Sequence, residues 1–120
     1  MYDYQKIIEK RGRALSEVNP GSSEYALSVN DSLEIIDILL KQQIPILGGD
    51  IISEKSGKLI YAYQLWGIEY HYLNWCCDKM ENESKKNYIL RSYNIAKETI
   101  VKALDIANHL HEKCYIVLVT

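Results

Sequence analysis

The sequence predicts an α+β fold: a sheet of about four strands, largely antiparallel or mixed, with two to three helices mainly on one face. Three observations carry this. Apolar residues recur at helical spacing in two long segments, Val29–Lys41 and from about Ser84 to Ala107. β-branched and apolar runs at Ile44–Ile52 and Tyr115–Val119 have strand character. Strand patterns and helix patterns then fall in blocks instead of alternating, which separates this class from a parallel α/β sheet. The chain has 120 residues, which reads as a single domain over 1–120, long enough to bury a core without staples.

Taken in order, Tyr4, Ile7 and Ile8 suit a short helix from about Asp3 to Lys10, interrupted at Gly12. Glu17 to Ser23 contains Asn-Pro and Pro-Gly pairs, a loop by its turn chemistry. Glu24-Tyr25-Ala26-Leu27 leads to Ser28, which stands three residues before Asp31, the spacing of a capping box. Val29, Leu33, Ile36 and Leu40 give the following helix one apolar face; Ile35, Ile38 and Leu39 widen it. Next comes Ile44-Pro45-Ile46-Leu47-Gly48-Gly49-Asp50-Ile51-Ile52, read as the first strand. Pro45 suits its beginning, because proline cannot donate to a ladder. Alternation places Gly48, Asp50 and Ile52 on one face, with Ile46 unless a bulge shifts it. Ser53–Gly57 reads as a turn and Lys58–Tyr63 as a second strand, together a hairpin. Gln64–Gly67 reads as a bend and Ile68–Cys77 as a third strand. Asp78–Glu83 is a polar loop. Ile89, Tyr93, Ala96, Ile100, Ala103 and Ala107 then form the stripe of the longest helix, its small residues allowing close approach to a sheet. The chain ends in a strand, Cys114–Val119, apolar on both parities.

Composition excludes several classes. Apolar residues make up 48% and charged residues 25%, an ordinary globular balance. A net charge of −2 gives no basic face for nucleic acid. No apolar run reaches the roughly 18–20 residues of a membrane span, and the first residues lack a signal-peptide pattern, so the expected location is cytoplasmic. Three cysteines, two of them adjacent, are no disulfide framework and are expected to be free thiols. Ten tyrosines, two tryptophans and no phenylalanine suit surfaces that are half buried and half wet, whether a binding face or the rim of a core.

The search for chemistry finds little. His109, His111 and Cys114 lack the spacing of a zinc site, so neither metal nor cofactor is expected. Cys76 or Cys77 with His71 is a nucleophile and base without an orienting third group. No phosphate-binding or nucleophile-elbow motif occurs. The unusual feature is the Gly48-Gly49-Asp50 block: two glycines forgo packing inside an apolar strand, and a carboxylate there needs a partner or solvent. Gly48, Gly49 and Asp50 are therefore expected to form a structural node. In the flanking runs, Tyr61 and Tyr63, and Tyr70 and Tyr72, alternate as they would on single faces of two strands. They are candidate anchors for a protein partner, or else a cover over core.

These residues carry a resemblance. Glu24-x-Ala26-Leu27, the capped helix, Ile44-Pro45-Ile46-Leu47-Gly48-Gly49-Asp50, Asn74-Trp75, Arg91-Ser92-Tyr93-x-x-Ala96 and the terminal strand resemble the immunity protein 40 family of bacterial polymorphic-toxin systems, from roughly Glu24 to Val119. Tyr61–Tyr72 departs from it, being longer than the family's usual link to the tryptophan. The resemblance implies a non-enzymatic protein that binds a cognate toxin domain and blocks it, with Glu24, Gly48, Gly49, Asp50 and Trp75 as its signature positions. The alternative is a small-molecule-binding or catalytic domain with a cleft near Asp50 and Trp75. Oligomeric state is not legible in the sequence.

Overall fold

A computed structural model describes residues 3–120. Its centre is an antiparallel sheet. The strands are β1 (Arg13–Ala14), β2 (Tyr25–Ser28), β3 (Gly48–Lys55), β4 (Lys58–Tyr61), β5 (Trp75–Cys76) and β6 (Tyr115–Val119). The order across the sheet is β1-β2-β6-β3-β4, with β5 also paired to β3. The fold is α+β as expected, but the sheet has six strands, not about four. The two unanticipated strands at its far edge, β1 and β2, are short, too short for their alternation to stand out in the sequence.

The helices are α1 (Tyr4–Arg11), α2 (Val29–Lys41), the five-residue α3 (Ala62–Trp66) and α4 (Lys85–Leu110). Their ends follow local chemistry. Asp3 accepts from the backbone N–H groups of Gln5 and Lys6 at α1, Ser28 from that of Asp31 at α2 (3.1 Å) and Ser84 from that of Asn87 at α4 (3.1 Å). The expected capping serine at α2 is therefore in place.

Alternation along the strands divides the apolar residues between two faces. Leu27, Ile51 and Ile116 enter a large core with Ile35, Ile36 and Leu39 of α2 and Ala96, Ile100 and Ala103 of α4. Their chain neighbours Ala26, Ile52 and Val117 form a smaller cluster on the opposite face, closed by Leu15 and Leu59. The helices thus pack on one face, and the other is only partly covered, by the turn around Leu15.

Three boundaries differ from the sequence reading. Ile44–Leu47 precedes the strand instead of opening it: Pro45 has no N–H, and the Ile46 N–H donates to Ser92 Oγ of α4 (3.0 Å). β3 starts at Gly48 and continues through Ser53–Lys55, where a turn was expected; the turn is only Ser56-Gly57, both at positive φ (53° and 81°), the conformation that suits a two-residue hairpin. The expected strand Ile68–Cys77 is instead a 3-10 helix, Ile68–Leu73, followed by the two-residue β5, and Tyr63 lies in α3. The physical reason is packing. Ala62, Trp66, Tyr70 and Leu73, spaced four, four and three apart, all reach the helix-side core, and that helical period prevails over the β propensity of Ile-Glu-Tyr-His-Tyr.

β3 carries β6 along one edge and shares the other between β5 and β4. In the gap between them Asn74 Oδ1 accepts from the Ile51 N–H (2.8 Å). A Cβ at Gly49 would fall on the Trp75 indole, 2.6 Å from Cζ3, and against the Val117 carbonyl oxygen; one at Gly48 would meet the Trp75 carbonyl oxygen. The glycines therefore admit β5 and seat its indole on the sheet. Beyond β5, Arg91 of α4 pins the loop before its own helix, pairing with Glu83 (2.7 Å) and donating to the Asp78 carbonyl oxygen (2.7 Å).

Gly49→Ala is expected to lower stability by about 1–3 kcal/mol through overpacking, read as a shift of the denaturant midpoint. The guanidinium of Arg91 and the Met80 N–H hold the Glu83 carboxyl down to about 2 from its ordinary 4.5. A depressed carboxylate contributes stability above its unfolded value and loses it on protonation. Stability should therefore fall as pH drops from about 4.5 towards 2, with a shallower slope in Glu83→Gln measured by urea unfolding at each pH.

Candidate functional site

Asp50 is placed by the node itself. Gly49 faces the indole, so the next residue points to the opposite, less covered face of the sheet. There Asp50 registers with Val117 of β6, and Ile52 registers with Tyr115 and Tyr61. Glu24 arrives from the other side of β6, just before β2, with its backbone carbonyl tied to the Leu15 N–H (2.9 Å). Glu24 and Asp50 thus come within electrostatic range although 26 residues apart in sequence.

Neither carboxylate has a hydrogen bond or ion pair among the described residues, and both are half-buried. Burial raises the pKa of Glu24, and the charge of Asp50 raises it further. Burial likewise raises that of Asp50, opposed by His71. The same face holds an aromatic row. Tyr61 and Tyr63 have ring centroids 6.0 Å apart, and His71 meets Tyr63 edge-on at 4.6 Å. Burial and the nearby Asp50 raise the Tyr61 hydroxyl, while a hydrogen bond with Asn19 lowers it.

The four tyrosines singled out from the sequence do not form one patch. Tyr61 and Tyr63 stand beside Asp50. Tyr70 packs edge-on against Trp66 (6.1 Å) and into the helix-side core, and Tyr72 lies under Lys102 of α4, 56% exposed. The split follows from the 3-10 helix: residues that alternate on a strand diverge around a helix. Trp75 is likewise separated from Asp50 by the sheet, and its indole N–H is buried without an acceptor among the described residues. Sequence reasoning missed His71 as a neighbour of Asp50; the helical spacing from Ala62 to Leu73 was the signal that would have turned it there.

Residues of the other motif blocks serve the fold. Ser92 receives the Ile46 N–H, Tyr93 donates to Asp37 (2.6 Å), and Ala96 is fully buried against the sheet. Below the aromatic row a second polar group closes the same face. Glu54 takes Arg13, Lys113 (3.0 Å) and the Tyr115 hydroxyl (3.2 Å), while Glu17 takes Arg13 (2.9 Å) and the Leu59 N–H (3.0 Å). Cys77 is buried beside Arg91 (3.3 Å) and Cys76 is exposed, so His71 and the cysteines are engaged with different neighbours. The three thiols are free. No helix among the described residues is long and apolar enough to cross a membrane.

What the arrangement offers is an acidic face beside half-buried rings, with Glu24 also lining a cavity of about 230 Å3 together with Gln5, Ile8 and Leu118. Cavities of about 500 Å3 between α2 and α4 and about 610 Å3 along α4 are lined by neither Asp50 nor Trp75. No curated protein and no solved structure matches the chain. The family model described as immunity protein 40 matches residues 14–120, which takes in Glu24, the Gly-Gly-Asp block, Trp75 and the terminal strand, and the chain belongs to that immunity-protein family.

Proposed function

We propose that the protein binds a cognate bacterial toxin domain and neutralises it by stoichiometric occlusion, using the sheet face that carries Glu24, Asp50, Tyr61 and Tyr63. Immunity proteins are generally non-catalytic, and the family membership supports a protein partner. The observation that carries the choice of face is that Glu24 and Asp50 come within electrostatic range of each other, beside the half-buried rings of Tyr61 and Tyr63 and without a hydrogen-bond or ion-pair partner among the described residues. Tyrosine contributes a large contact area at small entropic loss, and desolvated polar groups around it fix register. Tyr70, packed against Trp66 and the helix-side core, and Tyr72, under Lys102 of α4, lie away from this face and are not proposed as its contacts.

The face is held at a cost to the fold, which gives the reading a test. A carboxyl whose pKa is raised on folding stabilises the folded state below its unfolded value and ceases to do so as pH rises through the folded one. At pH 7 the ionised forms of Glu24 and Asp50 therefore oppose folding. Glu24→Gln and Asp50→Asn should each unfold at a temperature equal to or above the parent's at pH 7. Both should protect cells from the toxin less well. Tyr61→Ala should lose about 1–3 kcal/mol of toxin affinity, the scale of interface anchors, measured by calorimetry at one-to-one stoichiometry. Full protection by all three folded variants removes this face from the interface.

A further inference from the structure

We propose that α4 docks against α4 of a second copy of this chain, antiparallel and related by a two-fold axis, through an outward stripe of Lys86, Leu90, Asn94, Lys97, Val101 and Asp105. The stripe lies on the helix side of the sheet, away from the face that carries Asp50, Tyr61 and Tyr63, so the inference stands apart from the toxin-binding reading.

The first argument is what the stripe exposes. The inward side of α4 is filled by Ala96, Ile100 and Ala103, all fully buried, while all six stripe residues are exposed. A surface helix ordinarily keeps its outward side polar, yet Leu90 is 51% and Val101 52% exposed. They stand eleven residues apart in the sequence, close to three whole turns, and therefore on one side of the helix.

The second argument is self-complementarity. The six positions are spaced four, four, three, four and four, the same in either direction. Turned end for end around the point midway between Asn94 and Lys97, the stripe sets Leu90 against Val101 of the second copy, Asn94 against Lys97 and Lys86 against Asp105. Each pairing then occurs twice, as a two-fold contact demands. Apolar meets apolar, an amide oxygen meets an ammonium that donates to it, and a cation meets an anion. Leu90, Asn94, Lys97 and Val101 also have the alternating three- and four-residue spacing of a coiled-coil seam. A parallel arrangement would set Lys86 on Lys86 and Asp105 on Asp105, with the helix dipoles aligned instead of opposed. Both end charges are available: Lys86 has no ion pair among the described residues, and the Asp105 carboxylate meets the exposed His109 at 3.8 Å, a charged pair only when that ring is protonated.

The third argument is shape. The cavity of about 500 Å3 between α2 and α4 takes in Lys86 and Leu90, and the one of about 610 Å3 along α4 takes in the other four residues. The two-fold lays Leu90 of each copy against the second cavity of the other. The stripe is roughly 29 Å long at 1.5 Å per residue. One helix pair of that length stays under the roughly 1,200 Å2 of standard interfaces, so the dimer is reversible and concentration-dependent.

Sedimentation equilibrium of the full chain at rising concentration tests this. The parent should pass from monomer to dimer. Leu90→Glu and Val101→Glu change exposed side chains, and each should stay monomeric with the parent's unfolding midpoint. Lys86→Glu and Asp105→Lys, made singly, should each weaken the dimer about five-fold or more, because two exposed pairs change at once. Made together they should restore it, since the pairing returns with its signs exchanged. A parent that is monomeric throughout, a dimer indifferent to Leu90→Glu, or a double exchange that dimerises no better than the singles overturns the inference. A monomeric parent whose folded Leu90→Glu variant no longer binds the toxin assigns the stripe to the toxin and likewise overturns it.

Discussion

The structure depends on there being no side chain at Gly49. β3 is the strand on which the sheet is assembled, and its inner residues must accept β6 on one edge and β5 on the other while the Trp75 indole lies directly over the backbone. A methyl group at that point would occupy the volume of the ring. The indole in turn contributes to the helix-side core, beside the residues of α2 and α4, so the glycine joins sheet, short strand and helices at one place. Interiors are packed closely enough that such a contact tolerates little relaxation.

That constraint sits one residue from the candidate binding face. A strand sends successive side chains to opposite faces, so the position after Gly49 emerges where the sheet is least covered. Rigidity on one face and an unpartnered carboxylate on the other are therefore consequences of the same short segment. Asn74 extends the link: it fills the gap between β5 and β4 by taking the Ile51 N–H, and it precedes the indole that rests on Gly49. The acidic face is held by backbone geometry and not by side-chain bonds of its own, an arrangement that keeps the Asp50 carboxylate positioned but unsatisfied among the described residues.

The motif residues singled out in the sequence then separate into two kinds. Arg91 holds a loop against α4, Ser92 satisfies a buried backbone N–H, and Tyr93 ties α4 to α2. These roles end inside the molecule. Glu24 and Asp50 differ because no described group completes them. The sequence motif does not distinguish the two kinds; only the inventory of partners around each side chain does.

The sequence by itself determined the class of fold, the long helices α2 and α4, the serine cap of α2, the terminal strand, and the oddity of Gly-Gly-Asp. Those features rest on local chemistry: apolar periodicity, a hydroxyl at the right offset, β-branched runs. It did not determine the strands of two residues, whose pairing comes from neighbours far along the chain. It misjudged Ile68–Leu73, where local β propensity opposed a helical spacing that mattered only once Trp66 and Leu73 had a core to enter. The grouping of Glu24, Asp50, Tyr61, Tyr63 and His71 was likewise beyond it. The first two are joined across β6, which lies about ninety residues after Glu24, and the rings by the turn of α3 into the 3-10 helix. Which face a residue shares, and with whom, is a property of strand order and register, and those were decided by tertiary packing.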